Sequence, residues 1–208
     1  MSFDTLAPFY RTMEFLSAGG KLQECRTAFL KEIPSPENIL IAGEGHGRFL
    51  PLCAERFPEA RITVIDASSA MLEIARRKVA SDKIRFLHVD VLKWEGPPGA
   101  FDLVVTHFFL DCFPPEELAV VVARLAESAT PDAHWLLADF QVPDGRAASL
   151  RSRLILALLY SFFRLVTGLR ASALAPPEKH LEEAGFVRHR RITRDWGLLK
   201  SEWWRRKR

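Results

Sequence analysis

The stretches Ile39-Leu-Ile-Ala-Gly-Glu-Gly-His-Gly47 and Ile62-Thr-Val-Ile-Asp66 decide the fold. Each begins with a short apolar run that is typical of a buried parallel strand. The first run ends in three alternating glycines, which let the backbone of a strand-to-helix turn approach a ligand closely. The second run ends in a carboxylate, which at the tip of the next strand can accept hydrogen bonds from ribose hydroxyls. Together the two stretches predict a nucleoside site on an α/β sheet.

The spacing of the glycines narrows the kind of nucleoside. A dinucleotide fingerprint, G-x-G-x-x-G, needs its third glycine at position 48, where this chain has Arg48. A P-loop is excluded because no G-x-x-x-x-G-K-[ST] run occurs. A nicotinamide-dependent oxidoreductase therefore remains only as an alternative interpretation.

Apolar runs alternate with amphipathic segments along the chain, which predicts parallel βαβ units and a doubly wound sheet. The chain ends differently, in two strand-like runs joined by Arg194-Asp195-Trp196-Gly197, a hairpin signal. A terminal antiparallel hairpin argues against the oxidoreductase, whose sheet would continue in parallel. Besides the two opening strands, we expect strands at 84–88, 103–106, 135–140, 186–193 and 198–204.

Four motifs in this order resemble the class I S-adenosylmethionine-dependent methyltransferases, in particular the small-molecule branch related to quinone and sterol methyltransferases. Gly43, Gly45 and Gly47 match the first motif of that family, and Asp66 matches its ribose-binding acid. The other matching runs are Asp66-Ala-Ser-Ser-Ala-Met71-Leu-Glu-Ile-Ala75, Phe86-Leu-His-Val-Asp90-Val91 and Phe101-Asp-Leu-Val-Val-Thr106.

The resemblance implies a Rossmann-like, seven-stranded sheet with strand order 3-2-1-4-5-7-6 and S-adenosyl-L-methionine as cofactor. It implies that Ala67, Met71, Asp90 and Val91 contact the adenine and that Thr106 ends beside the methyl donor. Ile41 stands where the family commonly has an acid near the methionine amino group, and Glu44 either supplies that negative charge or points to solvent. Tyr10 resembles an aromatic residue that closes over the cofactor.

The candidate catalytic residues follow the fourth predicted strand. His107 and Asp111 are candidates for a general base or for groups that orient the acceptor. Their spacing of four residues could suit a metal on a helix, but no third ligand is apparent, so no metal site is expected. For His107 a packing role is the alternative.

Length and composition predict one methyltransferase domain over residues 1–208. We expect a helical cap at 1–33, a cofactor-binding core at 34–140, a helical insertion at 141–175, and a final helix with the hairpin at 176–208. Three cysteines without a C-x-x-C pair, and no visible signal peptide, predict a reduced, cytoplasmic protein. The basic C-terminus is interpreted as a solvated tail after a buried strand, so a nucleic-acid partner is not expected.

The insertion contains the run Leu154-Ile-Leu-Ala-Leu-Leu-Tyr-Ser-Phe-Phe163, which is too short to span a bilayer. Because the run is apolar on almost every face, part of its surface needs a partner. Packing on the N-terminal helices, a homodimer contact and a lid over a hydrophobic substrate remain open. The sequence thus predicts a methyltransferase for a small apolar or aromatic acceptor, with a non-catalytic interaction module of the same fold as a further alternative.

Overall fold

The computed structural model describes residues 20–207. Their seven strands form one sheet. The strand order is β3-β2-β1-β4-β5-β7-β6, as predicted, and β7 pairs antiparallel to both of its neighbours. This order rules out the continuous parallel sheet of a dinucleotide-binding dehydrogenase. The strands are β1 Asn38–Ala42, β2 Arg61–Asp66, β3 Ile84–His88, β4 Phe101–His107, β5 Ala129–Phe140, β6 Phe186–Arg194 and β7 Leu199–Arg206.

Helices cover both faces of the sheet. Two of them begin at a clear start signal: Ser68 caps the third helix by accepting from the Met71 N–H at 3.2 Å, and Pro115 opens the fourth with two acids in its first turn. The helices are α1 Lys21–Thr27, α2 Leu50–Arg56, α3 Ser69–Arg76, α4 Pro115–Glu127, α5 Arg146–Thr167 and α6 Glu178–Glu183.

The central strands are apolar on both sides because each side packs against helices. In β1, Leu40 and Ala42 belong to the core beneath α4, while Ile39 and Ile41 belong to the core beneath α2 and α3. All four side chains are essentially inaccessible to solvent. This two-sided burial fixes the strand in the middle of the sheet and aims its carboxyl end at the glycine turn.

The fifth strand begins six residues earlier than predicted, at Ala129 instead of Trp135. Ala129 pairs with Phe101, and the register then shifts before Leu103 pairs with His134. The extra residues between them bulge out of the ladder, and Pro131, which has no N–H to donate, lies within that bulge. A proline there hides the start of a strand from its sequence pattern.

The predicted insertion is a single helix, α5, which ends at Gly168 in a left-handed conformation with φ +66°. Among the described residues, none of the helices has the length and apolarity needed to cross a membrane. The predicted cap lies partly outside the described residues, and so does Tyr10. Of the cap, α1 is described; it contacts β5 and β7.

Candidate functional site

A cleft of about 200 Å³ opens at the carboxyl ends of β1, β2 and β4. Ligands of open α/β sheets bind at this edge, where the crossover direction reverses between β1 and β4. The predicted residues that line the cleft are Gly43, Gly45, Asp66, Ala67, Met71, Asp90 and Val91. The structure therefore brings seven of the eleven predicted cofactor residues to one cavity.

The glycine turn and Asp66 form one hydrogen-bonded unit. The Asp66 carboxylate accepts from the Gly45 N–H at 3.4 Å and from the Ser68 N–H at 2.9 Å. Gly43 and Gly45 have φ of +70° and +59°, a region that favours glycine. No atom lies within 4 Å of the position that a Cβ on Gly45 would take, so the cleft is open beside it.

Glu44 turns away from the cleft and caps a helix. Its Oε1 accepts from the Phe49 and Leu50 N–H groups, both at 2.8 Å, at the start of α2. Burial raises the pKa of the Glu44 carboxyl to about 7, although both hydrogen bonds lower it. The side chain therefore stabilises the turn that holds Gly43 and Gly45, and it neither lines the cleft nor points to solvent.

Gly47 also serves packing. A Cβ at this position would lie 2.8 Å from the Ala75 Cα of α3, closer than real Cβ contacts come. Its φ of +68° is a second reason for glycine. Gly47 thus lets α3 approach the glycine turn and stays behind the cleft wall.

On the other side of Asp66, the cleft wall suits a flat ring. The Met71 side chain is buried at the start of α3, and Val91 is buried after β3. Asp90 is exposed, and its Oδ1 accepts from the Leu92 N–H at 3.0 Å, which fixes the turn. An adenine in this position would lie between apolar side chains with a carboxylate at its rim.

Thr106 lies beneath the cleft floor. Its hydroxyl accepts from the indole N–H of Trp135 at 2.8 Å, and both residues are fully buried. Because a buried indole N–H without an acceptor is costly, this bond accounts for a threonine at the strand end. The side chain does not line the cleft.

His107 is the last residue of β4, and its ring packs edge-on against Phe49 with centroids 4.6 Å apart. Burial, and secondarily the Arg26 charge, lower the pKa of the imidazole to about 3. Nδ1 has no hydrogen-bond partner within residues 20–207. The ring is neutral at neutral pH and does not line the cleft.

Asp111 is one residue away from the cleft, behind Cys112. The Cys112 thiol lies 3.7 Å from Asp111 Oδ1, and Tyr160 donates to the Asp111 backbone oxygen at 3.0 Å. Burial raises the pKa of Asp111 to about 6, and burial together with Asp111 raises the pKa of Asp139 well above its ordinary range. These groups form a buried acidic cluster under α5, from which only Cys112 reaches the cleft.

The far end of the cleft is formed by residues that sequence reasoning missed. They are Phe108, Phe109, Phe113, Cys112 and Arg170, an aromatic wall with one cation at its edge. The wall follows from a tight turn after β4, where Phe108 has a φ of +53°, a strained value for a bulky residue. The three phenylalanines were visible in the sequence, but Arg170 follows α5 and carries no local signal.

S-adenosylmethionine fits the near end of this cleft by the chemistry of its lining. Asp66 offers carboxylate oxygens for a ribose, Gly45 leaves open space, and Met71 offers an apolar face. Phe109 limits the middle, because its ring lies 2.0 Å from where a Cβ on Gly43 would be. The cleft is smaller than the 300 Å³ or so of common ligand sites. We expect the Phe109 ring to turn away from Gly43 when the cofactor enters.

Comparison with known proteins gives the same assignment. A methyltransferase domain family matches residues 39–132. Over these residues the chain resembles a methyltransferase domain. The match covers the glycine turn, Asp66 and Asp90, and S-adenosylmethionine is the methyl donor that this resemblance implies.

Individual relatives share the domain but differ in what they act on. The chain is 36% identical over 103 residues to a tRNA1(Val) (adenine(37)-N6)-methyltransferase of Vibrio parahaemolyticus, covering 48% of this chain and 40% of that protein. It is 33% identical over 115 residues to a trans-aconitate 2-methyltransferase of Paracidovorax citrulli, covering 55% and 42%. The chain thus matches less than half the length of these curated relatives.

A solved structure extends the similarity of fold to the whole chain. The Burkholderia thailandensis 1,6-didemethyltoxoflavin-N1-methyltransferase superposes with a TM-score of 0.69 at 18% identity, covering 99% of this chain and 86% of that one. At that identity the likeness concerns the fold alone. The predicted sheet topology is therefore confirmed, residues 39–132 match a methyltransferase domain, and the small-molecule branch stays a prediction.

Proposed function

We propose that this protein transfers a methyl group from S-adenosylmethionine to a small, apolar or aromatic acceptor. The observation that carries the proposal is the continuity of one cleft from Asp66 to the aromatic wall at Phe109 and Phe113. When bound, the cofactor supplies an electrophilic methyl group on a sulfonium. The protein holds the acceptor in line with that methyl group and excludes water.

The proposed division of labour follows from the lining. Asp66 holds the ribose, while Met71 and Val91 flank the adenine. Phe109 and Phe113 present ring faces and edges to the acceptor, which favours a flat, apolar molecule. Arg170, ion-paired with Glu117, borders the same end and can contact a polar rim of the acceptor.

The residues that line the cleft also indicate whether a general base takes a proton from the acceptor. Burial raises the pKa of the Cys112 thiol well above its ordinary value, so the thiol stays protonated at neutral pH. Because His107 and Asp111 lie behind the lining, we propose that they position the turn after β4 and take no proton from the acceptor directly. This favours an acceptor atom that is nucleophilic without help, such as an activated carbon or an ionised oxygen.

A transfer assay with labelled S-adenosylmethionine tests the proposal. Phenols, quinols and other small aromatic molecules form one set of acceptors, and total tRNA forms the other. We expect label in the small-molecule set. Label in tRNA alone would contradict the proposal.

A variant that blocks the acceptor end links turnover to this cleft. Cys112→Phe should reduce transfer at least tenfold while leaving the binding of S-adenosylhomocysteine within about twofold, because the new ring fills space beyond the cofactor. Cys112→Ala, the matched control, should keep both. Equal turnover by Cys112→Phe would place the acceptor elsewhere.

A further inference from the structure

The outward face of α5 carries a row of exposed leucines. Leu150, Leu154, Leu158 and Leu165 are 72%, 63%, 65% and 87% exposed. Residues at spacings of four and seven lie on one side of an α-helix, so the four side chains form a single apolar stripe. We call these four residues the leucine stripe.

The inward face of α5 already holds the helix to the domain. Leu156 and Tyr160 are 5% exposed and pack in one cluster with Leu22 and Leu199. Arg151 adds an ion pair to Asp195 at 3.2 Å. Because Leu156 and Tyr160 lie on the opposite face, the leucine stripe is not required to attach α5 to the fold.

The exposed charge along one edge of the stripe is basic, whereas on the other edge Arg151 is paired with Asp195. Residues 145–177 contain five arginines and no aspartate or glutamate. Arg146, Arg153 and Arg164 are exposed and lie along one edge of the stripe, since spacings of seven and eleven return to the same side of a helix. The face therefore combines an apolar stripe with a basic border.

We propose that this face of α5 docks on the surface of an anionic phospholipid bilayer. Leucines on one side with arginines beside them are the pattern of a helix that lies in the plane of the membrane interface. The leucine side chains enter the boundary of the acyl chains, and the arginines contact anionic headgroups. The helix lies on the bilayer and does not cross it.

The charge distribution selects this occupant over a second copy of the chain. A twofold contact through the stripe would bring two sets of these arginines to one interface, and the segment contains no acid to pair with them. A bilayer with anionic headgroups complements the same arginines. The proposal concerns binding alone and does not depend on methyl transfer.

Vesicle flotation with the full chain tests the proposal. Vesicles of phosphatidylcholine alone are compared with vesicles that also contain phosphatidylglycerol, and the bound fraction is measured against lipid concentration. We expect binding to the mixed vesicles that weakens with added salt, and far weaker binding to neutral ones.

Two double variants locate the contact. Leu154→Gln with Leu158→Gln should lower the partition coefficient roughly 100-fold, from the loss of two buried leucines. Arg153→Gln with Arg164→Gln should lower it about 25-fold, from about fivefold for each basic residue. Because all four side chains are exposed in the free protein, circular dichroism and thermal unfolding should remain those of the parent.

Matched controls carry the same changes on other helices. Val120→Gln on α4, where the valine is 43% exposed, removes an apolar residue, and Arg77→Gln at the end of α3 removes a charge. Both should bind as the parent does. An equal loss in the controls would overturn the assignment to α5.

Three further results would overturn the proposal. The first is the absence of binding to anionic vesicles. The second is binding that the leucine variant does not weaken, which would point to another basic surface such as the chain end after β7. The third is a dimer in sedimentation equilibrium that the leucine variant dissociates and that does not bind vesicles.

Discussion

Replacing Glu44 with glutamine should change how the stability of this protein depends on pH. In the folded state the carboxyl group is buried and bonded to the Phe49 and Leu50 N–H groups. Its pKa is about 7, against an ordinary value of 4.5. Glutamine keeps the shape and the accepting oxygen but cannot ionise, so the variant isolates the effect of the charge.

The sign follows from proton binding. Between pH 4.5 and about 7, the unfolded chain releases the Glu44 proton while the folded chain keeps it. Stability therefore falls as the pH rises through this window, and the full cost is present above it. At 1.36 kcal/mol for each pKa unit, the cost reaches about 3 kcal/mol.

An opposing effect is smaller. A carboxylate at a helix N-terminus is stabilised by about 0.3–1 kcal/mol, and α2 is short. Because the folded pKa of about 7 already includes the two hydrogen bonds at this N-terminus, the burial cost dominates and a change of about 3 kcal/mol is expected. Relative to the parent, Glu44→Gln should gain this much stability between pH 4.5 and pH 8.

Urea unfolding at several pH values measures the difference between parent and variant. Other groups that titrate in this range cancel in that difference. Glu55→Gln, which removes an exposed carboxylate from the same helix, is the matched control and should stay close to the parent throughout. Two results would refute the reasoning. One is a difference in unfolding free energy between parent and variant that does not change with pH. The other is a parent whose stability rises relative to that of Glu44→Gln as the pH rises.

Two further predictions concern the glycine turn and β4. Gly47→Ala should lower the free energy of unfolding by about 2 kcal/mol or more, because its Cβ meets Ala75 and its φ is positive. Gly45→Ala should lower it by only about 1 kcal/mol, because its Cβ meets open space. Gly45→Ala should nevertheless weaken S-adenosylhomocysteine binding more than Gly47→Ala does, because Gly45 lines the cleft. Unfolding and calorimetry compare the pair, and the reverse order would contradict the assignment. Between pH 6.5 and about 3, the unfolded chain binds a proton at His107 and the folded chain does not, so acidification lowers stability. His107→Phe cannot bind this proton and should therefore lose less stability than the parent as the pH falls through this range. Acid unfolding curves identical to the parent's would contradict a buried neutral ring.

The sheet and the near half of the cleft were predictable because their signals are local. Glycines before a helix and an acid after the next strand identify two neighbouring strand ends, and Trp196-Gly197 marks the hairpin turn. Parallel strands place their carboxyl ends at one edge of the sheet, and this does not depend on the conformation of the loops. Asp66 and Gly45 could therefore be placed before any side-chain contact was known, and the resemblance to the methyltransferase family supplied the strand order.

The direction of side chains at the strand ends could not be predicted. β4 continues to His107, one residue beyond the predicted end at Thr106, and successive residues of a strand face opposite sides of the sheet. Thr106 therefore points to Trp135 on one face and His107 to Phe49 on the other, and neither points over the edge. One residue of strand length decides between a cleft residue and a core residue.

Contacts made through tertiary structure were also out of reach. Arg170 joins the cleft only because α5 returns the chain to the sheet edge. The inward turn of Glu44 depends on two N–H groups that α2 leaves without helical partners. No periodicity in the sequence carries either fact.

Calorimetric titration with S-adenosylhomocysteine tests the central claim most directly. The intact protein should bind, and Asp66→Ala should bind about 100-fold more weakly or worse, since two hydrogen bonds to a charged group contribute about 1.5–3 kcal/mol each. Asp82→Ala, an exposed acid outside the cleft, should bind as the parent does. Absence of binding by the intact protein, or equal affinity in Asp66→Ala, would contradict the cofactor site proposed at this sheet edge.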